Sequence, residues 1–372
     1  MTLGERVACP DCGLAQALPA IAAHEVARCR RCHRLLKVPD AQSRASFALV
    51  LAALLLWIPG CLAPLLTVSA GGASRTTNLI GCAIRLWGTG YPPLCLLVAV
   101  LMIAIPTAFM LLTLSQLLPT ISSSSMRGCR ALAHHLRPWL MTEVFVVGGC
   151  VAYSRIQAVA NVSVDVGGWC LAGAAALLLG SLALRGDPPA EPHRDPNHGV
   201  LLSGNRSLRV TTILVIAGLL LYIPANVLPV LQTERYGNIE NNTILSGVVE
   251  LVHYDLWPLA VIVFFASIVI PLAKLFGLAW LLWQTRLGSP RLLRQRTLAY
   301  RLIDTIGRWS NIDVFTISIL AALVQFGILT RVRPEPGAVA FAGVVLITMF
   351  AAQCFDPRAM WQAAAPQRKP VT

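Results

Sequence analysis

Residues 219–231 read LLLYIPANVLPVL, and residues 54–66 read LLLWIPGCLAPLL. Laid one over the other, Pro224 falls on Pro59 and Pro229 on Pro64; the same spacing carries Pro258 onto Pro93 and Pro271 onto Pro106. Four prolines in register over about fifty residues mark an internal repeat. Past the next loop the register shifts, and Trp309, Asp313, Val314 and Phe315 align with Trp139, Glu143, Val144 and Phe145. Proline removes a backbone hydrogen bond and kinks a helix. Each proline alone reads as a packing kink. Their repetition points to a shaped cavity, because irregular backbone at membrane depth is tolerated only where it faces protein or water.

The segments around these prolines are apolar enough to be membrane spans. The chain has 372 residues, 56% hydrophobic and 13% charged, with a mean hydropathy of +0.67. Soluble domains carry about 25% charged residues, so the composition indicates a polytopic membrane protein. Eight spans are expected, at 46–67, 91–117, 140–160, 167–184, 208–231, 257–283, 312–330 and 336–355. The first residues, MTLGERVACPDCG, show no apolar signal region, and insertion is expected to rely on the internal spans.

The net charge of +13 would suggest nucleic acid in a soluble protein, but here topology accounts for it and no nucleic-acid partner is expected. Basic residues cluster before the first span (Arg28, Arg30, Arg31, Arg34, Lys37, Arg44) and after the second, fourth, sixth and eighth. The opposite loops hold scattered arginines such as Arg75, Arg85 and Arg235. By the positive-inside rule both termini are cytoplasmic. The two four-span halves then enter the membrane from the same side, as a parallel repeat.

Cys9-Pro-Asp-Cys12 and Cys29-Arg-Arg-Cys32 are separated by sixteen residues, the spacing of a four-cysteine zinc site. Each pair makes a turn whose two thiolates share a face, and two turns complete a tetrahedron. A cytoplasmic location argues against structural disulfides. Rubredoxin-like iron and a redox dithiol are the alternatives for the same thiolates. Four thiolates leave no open coordination position, so the expected role is structural. His24 and His33 read as surface histidines. The other seven cysteines are scattered, mostly within spans, where they behave as small apolar residues.

Lys274 stands alone as a charge within Leu259–Trp283, where a lysine costs roughly 2.5–3.5 kcal/mol on insertion scales. It lies about nine residues from the cytoplasmic end of its span, roughly 13–14 Å by helical rise, so snorkelling covers part of the distance. Its repeat mate is Phe109, so the charge belongs to one copy only. Glu143 and Asp313 begin their spans, where the helix dipole favours carboxylates. Glu143 and Lys274 share the cytoplasmic half of the bilayer, and an ion pair between them is expected. Ser267 lies two turns before Lys274 on the same face, Thr348 is mid-span, and Ser310 is placed to cap the seventh helix. Single hydroxyls in spans usually serve as helix–helix contacts or bond back to their own carbonyls.

The cysteine pattern, the duplicated unit with its IPxxxxP signature and the NVLP at 226–229 together resemble the paraquat-inducible protein A family, over essentially the whole chain. Members include the inner-membrane subunit of the lipophilic envelope-spanning tunnel system. The resemblance implies a bacterial inner-membrane protein that moves phospholipid between that membrane and a tunnel formed by a periplasmic MCE-domain partner. It also implies a polar relay coupling protons to lipid transfer, which matches Lys274, Glu143, Ser267, Ser310 and Thr348, with glutamate at 143 in place of the expected aspartate. Asp313, Asn226 and Pro229 are secondary candidates. Members commonly carry a second ribbon before the second repeat; residues 185–207 contain no cysteine and read as a linker.

The expected fold is thus all-α: a zinc ribbon at 1–44, a first four-span repeat at 45–184, the linker at 185–207, a second repeat at 208–356 and a tail at 357–372. No enzymatic activity is expected. Long outer segments at 67–92 and 232–257 are expected to hold small ordered elements that meet the partner. A membrane redox protein using the cysteine pairs, and a passive anchor for the tunnel protein, are the competing readings.

Overall fold

The computed structural model describes residues 6–17, 27–37, 41–70, 73–88, 90–116, 123–157, 160–185, 204–235, 238–323 and 330–365. The chain opens with two hairpins, β1 (Arg6–Ala8) with β2 (Ala15–Ala17) and β3 (Ala27–Arg28) with β4 (Leu35–Lys37). Then follow α1 (Ala41–Leu62), strands β5 (Leu66–Ala70) and β6 (Ala73–Thr77), and helices α2 (Leu79–Gly88) and α3 (Pro92–Val98). Helix α3 continues through a π-helical stretch, Ala99–Ala104, into α4 (Ile105–Ser115). The first half ends with α5 (Ser123–Leu136), α6 (Thr142–Gln157), strand β7 (Asn161–Val164) and α7 (Val166–Arg185).

The second half repeats this order. Helix α8 (Gly204–Val227) leads to strands β8 (Leu231–Arg235) and β9 (Asn238–Asn242), then to α9 (Ile244–His253) and α10 (Trp257–Phe264). A π-helical stretch at Phe265–Val269 joins α10 to α11 (Ile270–Arg286). The chain continues through α12 (Leu293–Ile306), a 3-10 turn at Gly307–Asn311, α13 (Ile312–Leu323), strand β10 (Thr330–Pro334), α14 (Pro336–Cys354) and α15 (Arg358–Ala363).

Among the described residues, seven helical runs are long and apolar enough to cross a membrane: Ala45–Leu62, Pro92–Ser115, Gly128–Gln157, Val166–Leu184, Gly204–Val227, Trp257–Arg286 and Pro336–Cys354. The expected span at 312–330 is described only as far as Leu323, as α13, with residues 324–329 outside the described set. All twelve residues of α13 are buried, so this helix is enclosed by protein. Helix α8 shows the pattern of a lipid-facing span. Ile213, Ile216, Leu220, Ile223 and Val227 form an exposed apolar stripe, while Ser207, Thr211 and Gly218 face inward. An apolar exterior over a polar interior suits hydrocarbon and would be unstable in water. The chain is a multi-pass membrane protein.

The first and last helices of each half pack along one another, α1 on α7 and α8 on α14. The Ser46 hydroxyl donates to the Ser181 carbonyl (2.9 Å), and the Ser207 hydroxyl to that of Cys354 (2.7 Å). Pro59 and Pro224 lie within α1 and α8 without ending them, whereas Pro64 and Pro229 stand where helix gives way to strand. Pro106 and Pro271 follow the two π-helical stretches after one intervening residue. The ring of a helical proline clashes with the carbonyl four residues earlier, and a π-turn there relieves the clash. For Pro271 that carbonyl belongs to Ser267. In the second half the proline therefore widens the helix at a residue whose side chain is polar; in the first half the matching residue is Met102.

An all-α expectation requires correction: the connections at one end of the helices form two antiparallel sheets, ordered β6-β5-β7 and β9-β8-β10. Each gathers strands from both such connections of its half, and so ties together the helix ends opposite the N-terminal hairpins. The segments 67–92 and 232–257 do hold ordered elements, a hairpin and a short helix each. Thr243 caps α9 through a reciprocal hydrogen-bond pair with Ser246. Of the linker at 185–207, residues 186–203 fall outside the described set, as does His24.

Candidate functional site

The two hairpins present their cysteines through identical turns. In the first, the Gly13 amide donates to the Cys9 carbonyl (2.9 Å) and the Cys9 amide to that of Leu14 (3.0 Å). In the second, the His33 amide donates to the Cys29 carbonyl (3.0 Å) and the Cys29 amide to that of Arg34 (2.7 Å). Gly13 and His33 both take a left-handed conformation, φ 69° and 57°, which lets the chain fold back after each second cysteine. His33 is an exposed turn residue. The four buried sulfurs lie within 4.8 Å of one another, with Cys9–Cys32 at 3.4 Å and Cys12–Cys29 at 3.6 Å. A tetrahedral ion with metal–sulfur bonds of about 2.3 Å requires sulfurs about 3.8 Å apart, so the donor set fits one metal ion. The Arg31 amide and the Arg301 guanidinium each donate to a cysteine sulfur at 3.4 Å, which offsets thiolate charge.

The module is docked on the second half. Buried Asp11 pairs with Arg34 in its own module and with Arg301 of α12 (2.6 Å). Arg301 also donates to the Cys32 carbonyl at 3.3 Å. The Arg31 guanidinium lies 4.2 Å above the Trp361 ring of α15, a cation–π contact. Val7, Leu36 and the cysteines share one buried cluster with Leu278, Leu281 and Leu282 of α11 and with Phe355 just past α14.

Three residues beyond Arg301, α12 carries Asp304, and the next turn begins at Gly307. Lys274 is 2% exposed, and its ammonium donates to the Gly307 carbonyl at 3.3 Å. The Ser310 hydroxyl donates to that same carbonyl at 2.8 Å. Crowding by protein pushes the Asp304 carboxyl above its ordinary range, against the pull of Arg308, Lys274 and Arg34. Gly307 is fitted to this cradle: a Cβ there would stand 2.9 Å from Lys274 Cε and 3.1 Å from Nζ. Gly307→Val is expected to expel the lysine from its seat and cost about 1–3 kcal/mol of stability, read as a lowered melting temperature of the purified chain. Gly307→Ala should give a smaller drop.

Two expectations need correction. Glu143 pairs with Arg308 (3.2 Å), not with Lys274, because the start of α6 faces the 3-10 turn while Lys274 reaches the turn's first carbonyl. Ser310 sits within that 3-10 turn and donates back to Gly307, so its hydroxyl does not cap α13. Asp313, in the first turn of α13 as expected, is buried and accepts the Ser267 hydroxyl. Thr348 is fully buried and donates to the Val345 carbonyl of its own helix (2.9 Å). Asn226 donates to the Tyr222 carbonyl (2.9 Å), and the Pro229 carbonyl accepts the Gly337 amide (3.0 Å), both near the sheet end of α8 and away from Lys274. The structure thus brings together Lys274 with Ser310, Ser267 with Asp313, and Glu143 with Arg308.

The run RLIDTIGRWSN (301–311) supplies most of what sequence reasoning missed. Arg301 and Asp304 of α12 and Arg308 of the 3-10 turn recur at helical spacing, three charges along one face. Asn311 joins them from inside, donating to the Met141 sulfur (3.0 Å) and the Met349 sulfur (3.5 Å).

Comparison with known proteins gives a consistent answer. The chain is 30% identical to the intermembrane transport protein PqiA of Escherichia coli K12, covering 96% of this chain and 95% of that one. It is 25% identical to the lipophilic envelope-spanning tunnel protein A of the same organism, covering 97% and 92%. A probable intermembrane transport protein of Haemophilus influenzae is 23% identical, covering 95% of each. No solved structure matches significantly. The paraquat-inducible protein A model matches residues 44–185 and 208–365, and the chain belongs to that family.

Proposed function

We propose that the chain is a bacterial inner-membrane subunit that transfers phospholipid between that membrane and a periplasmic tunnel of an MCE-domain partner. The reading takes eight spans in two parallel four-span units, 45–184 and 208–356, with cytoplasmic termini and one structural zinc ion on Cys9, Cys12, Cys29 and Cys32. The matched order of helices, π-turns and sheets in the two halves supports the duplication, as does a family match in two segments. Relatives named for intermembrane transport and for an envelope-spanning tunnel support the activity.

The observation that carries a transport mechanism is the seat of Lys274. A buried ammonium held by a neutral carbonyl, with Asp304 nearby, is a group whose charge can change without dismantling an ion pair. In this mechanism proton gain and loss at Lys274 bias the packing of α11 against α12, and Ser267 with Asp313 transmit the change to the opposite side. Arg308 and Glu143 hold the 3-10 turn against α6. In the complete membrane preparation, a tagged chain is expected to retain the MCE-domain protein through its sheet end. Proteoliposomes holding this chain should then pass labelled phospholipid to that partner. A partner that binds normally with no lipid moving at any pH gradient would leave only an anchor.

A further inference from the structure

A cavity of about 140 Å³ opens beneath the second sheet, between α6, α9, α10 and α13. Its walls are mostly apolar, with Leu251, Val263 and Ile317 among them, and its floor reaches Asp313. Arg155, in the last turn of α6, lies in its wall. Its Nε is buried without a hydrogen-bond partner, and the guanidinium makes no hydrogen bond or ion pair within 4.0 Å among the described residues. Two carboxylates share the cavity, but Asp313 is engaged by Ser267 and Glu250 stands exposed at the rim. Gly247 of α9 keeps the space in front of Arg155 clear: a Cβ there would lie 3.5 Å from Nη2.

With no hydrogen bond among the described residues, a guanidinium drawn into such a wall gives up hydration for only the longer-range attraction of Asp313 and Glu250. A guanidinium presents a fork of donors matched to phosphate oxygens. The cavity is smaller than the roughly 300–1,000 Å³ that encloses a whole small ligand. It suits a headgroup whose acyl chains remain outside along apolar helix surfaces. We propose that this cavity receives the phosphate of a phospholipid headgroup, with Arg155 as its anion-binding group. The site rests on the transport reading above and names where that cargo is held on the sheet side.

The test uses the full chain in a phosphate-free, non-ionic detergent, titrated by calorimetry with dihexanoyl-phosphatidylglycerol, with dihexanoylglycerol and with inorganic phosphate. Saturable binding of the phospholipid is expected, at least about tenfold weaker in Arg155→Gln and largely kept in Arg155→Lys. Gly247→Leu, which fills the cavity and spares the charge, should weaken binding as well. Dihexanoylglycerol binding as well as the phospholipid would overturn the phosphate assignment. Inorganic phosphate binding as tightly would assign the site to the free ion instead. Unchanged phospholipid affinity in both Arg155→Gln and Gly247→Leu, at normal melting temperature, would remove the site altogether. Arg155-dependent binding in a chain that transfers no lipid would keep the site and discard the transport reading.

Discussion

Lys274→Met is expected to leave the protein as stable as before, or more so, while cutting phospholipid transfer by at least about tenfold, a barrier change of roughly 1.4 kcal/mol. The two halves of that expectation come from the same geometry. Lys274 is 2% exposed and rests on one carbonyl at 3.3 Å, a weak return for burying an ammonium. Methionine fills similar volume without that cost, and replacing a buried ionisable group by an apolar one is often neutral or stabilising. Its neighbours stay satisfied, because the Gly307 carbonyl keeps the Ser310 hydroxyl at 2.8 Å. A purely structural lysine would show the reverse, a lower melting temperature with proportionate loss of transfer. Thermal melts and a vesicle-to-partner transfer assay on one preparation separate the cases. Full transfer in Lys274→Met at normal protein level would rule out proton coupling at this position.

That lysine was legible in the sequence because charge inside an apolar run needs no structural context to stand out. The four cysteines were legible for a similar reason: their spacing is set by ligand geometry, and the structure brings all four sulfurs within 4.8 Å. The prolines announced a repeat, but what they do at Ser267 and Met102 depends on a π-turn, which hydropathy does not encode. Partners were harder to read than positions. Lys274 is met by the carbonyl of Gly307, a backbone group with no side-chain signature at all. Glu143 is met by Arg308, which reads as one more basic residue of a cytoplasmic loop. The same reading hid α12 entirely. Its Arg301, and Arg308 just beyond it, satisfy the positive-inside rule, yet they also hold the cysteine module and α6. Charge statistics fix which side a loop occupies and leave open what its charges touch. Arg155 closes a span, where an interfacial arginine is ordinary; only the cavity beside it and the lack of a hydrogen-bond partner among the described residues distinguish it.

Cys12→Ser is expected to release the metal, unfold the two hairpins at 6–17 and 27–37 and loosen α12 from one end, without preventing the helices from assembling. The hairpins have strands of two or three residues, and their buried core is chiefly the cysteines with Val7 and Leu36. Modules of that size owe their folding to the metal, whose apparent contribution in small zinc peptides is about 10–16 kcal/mol. Once the module opens, α12 loses Asp11 and Cys32 as partners of Arg301. It keeps the contacts nearer its start: Arg296 to Gln284 (3.0 Å), Tyr300 to the Ala352 carbonyl (3.0 Å), and Trp361 to Thr297 (3.1 Å). The loosened part is therefore the segment that carries Asp304 and Gly307, the seat of Lys274. Metal analysis should fall from one ion per chain to none, and limited proteolysis should remove the N-terminus first. Amide exchange should then rise in 301–311 and stay low in α8 and α14. Transfer should drop less than in Lys274→Met, because the lysine is still present but less well held. Exchange unchanged across 301–311 after metal loss would mean that the module docks on α12 without bracing it, and that Lys274 is seated by the membrane helices alone.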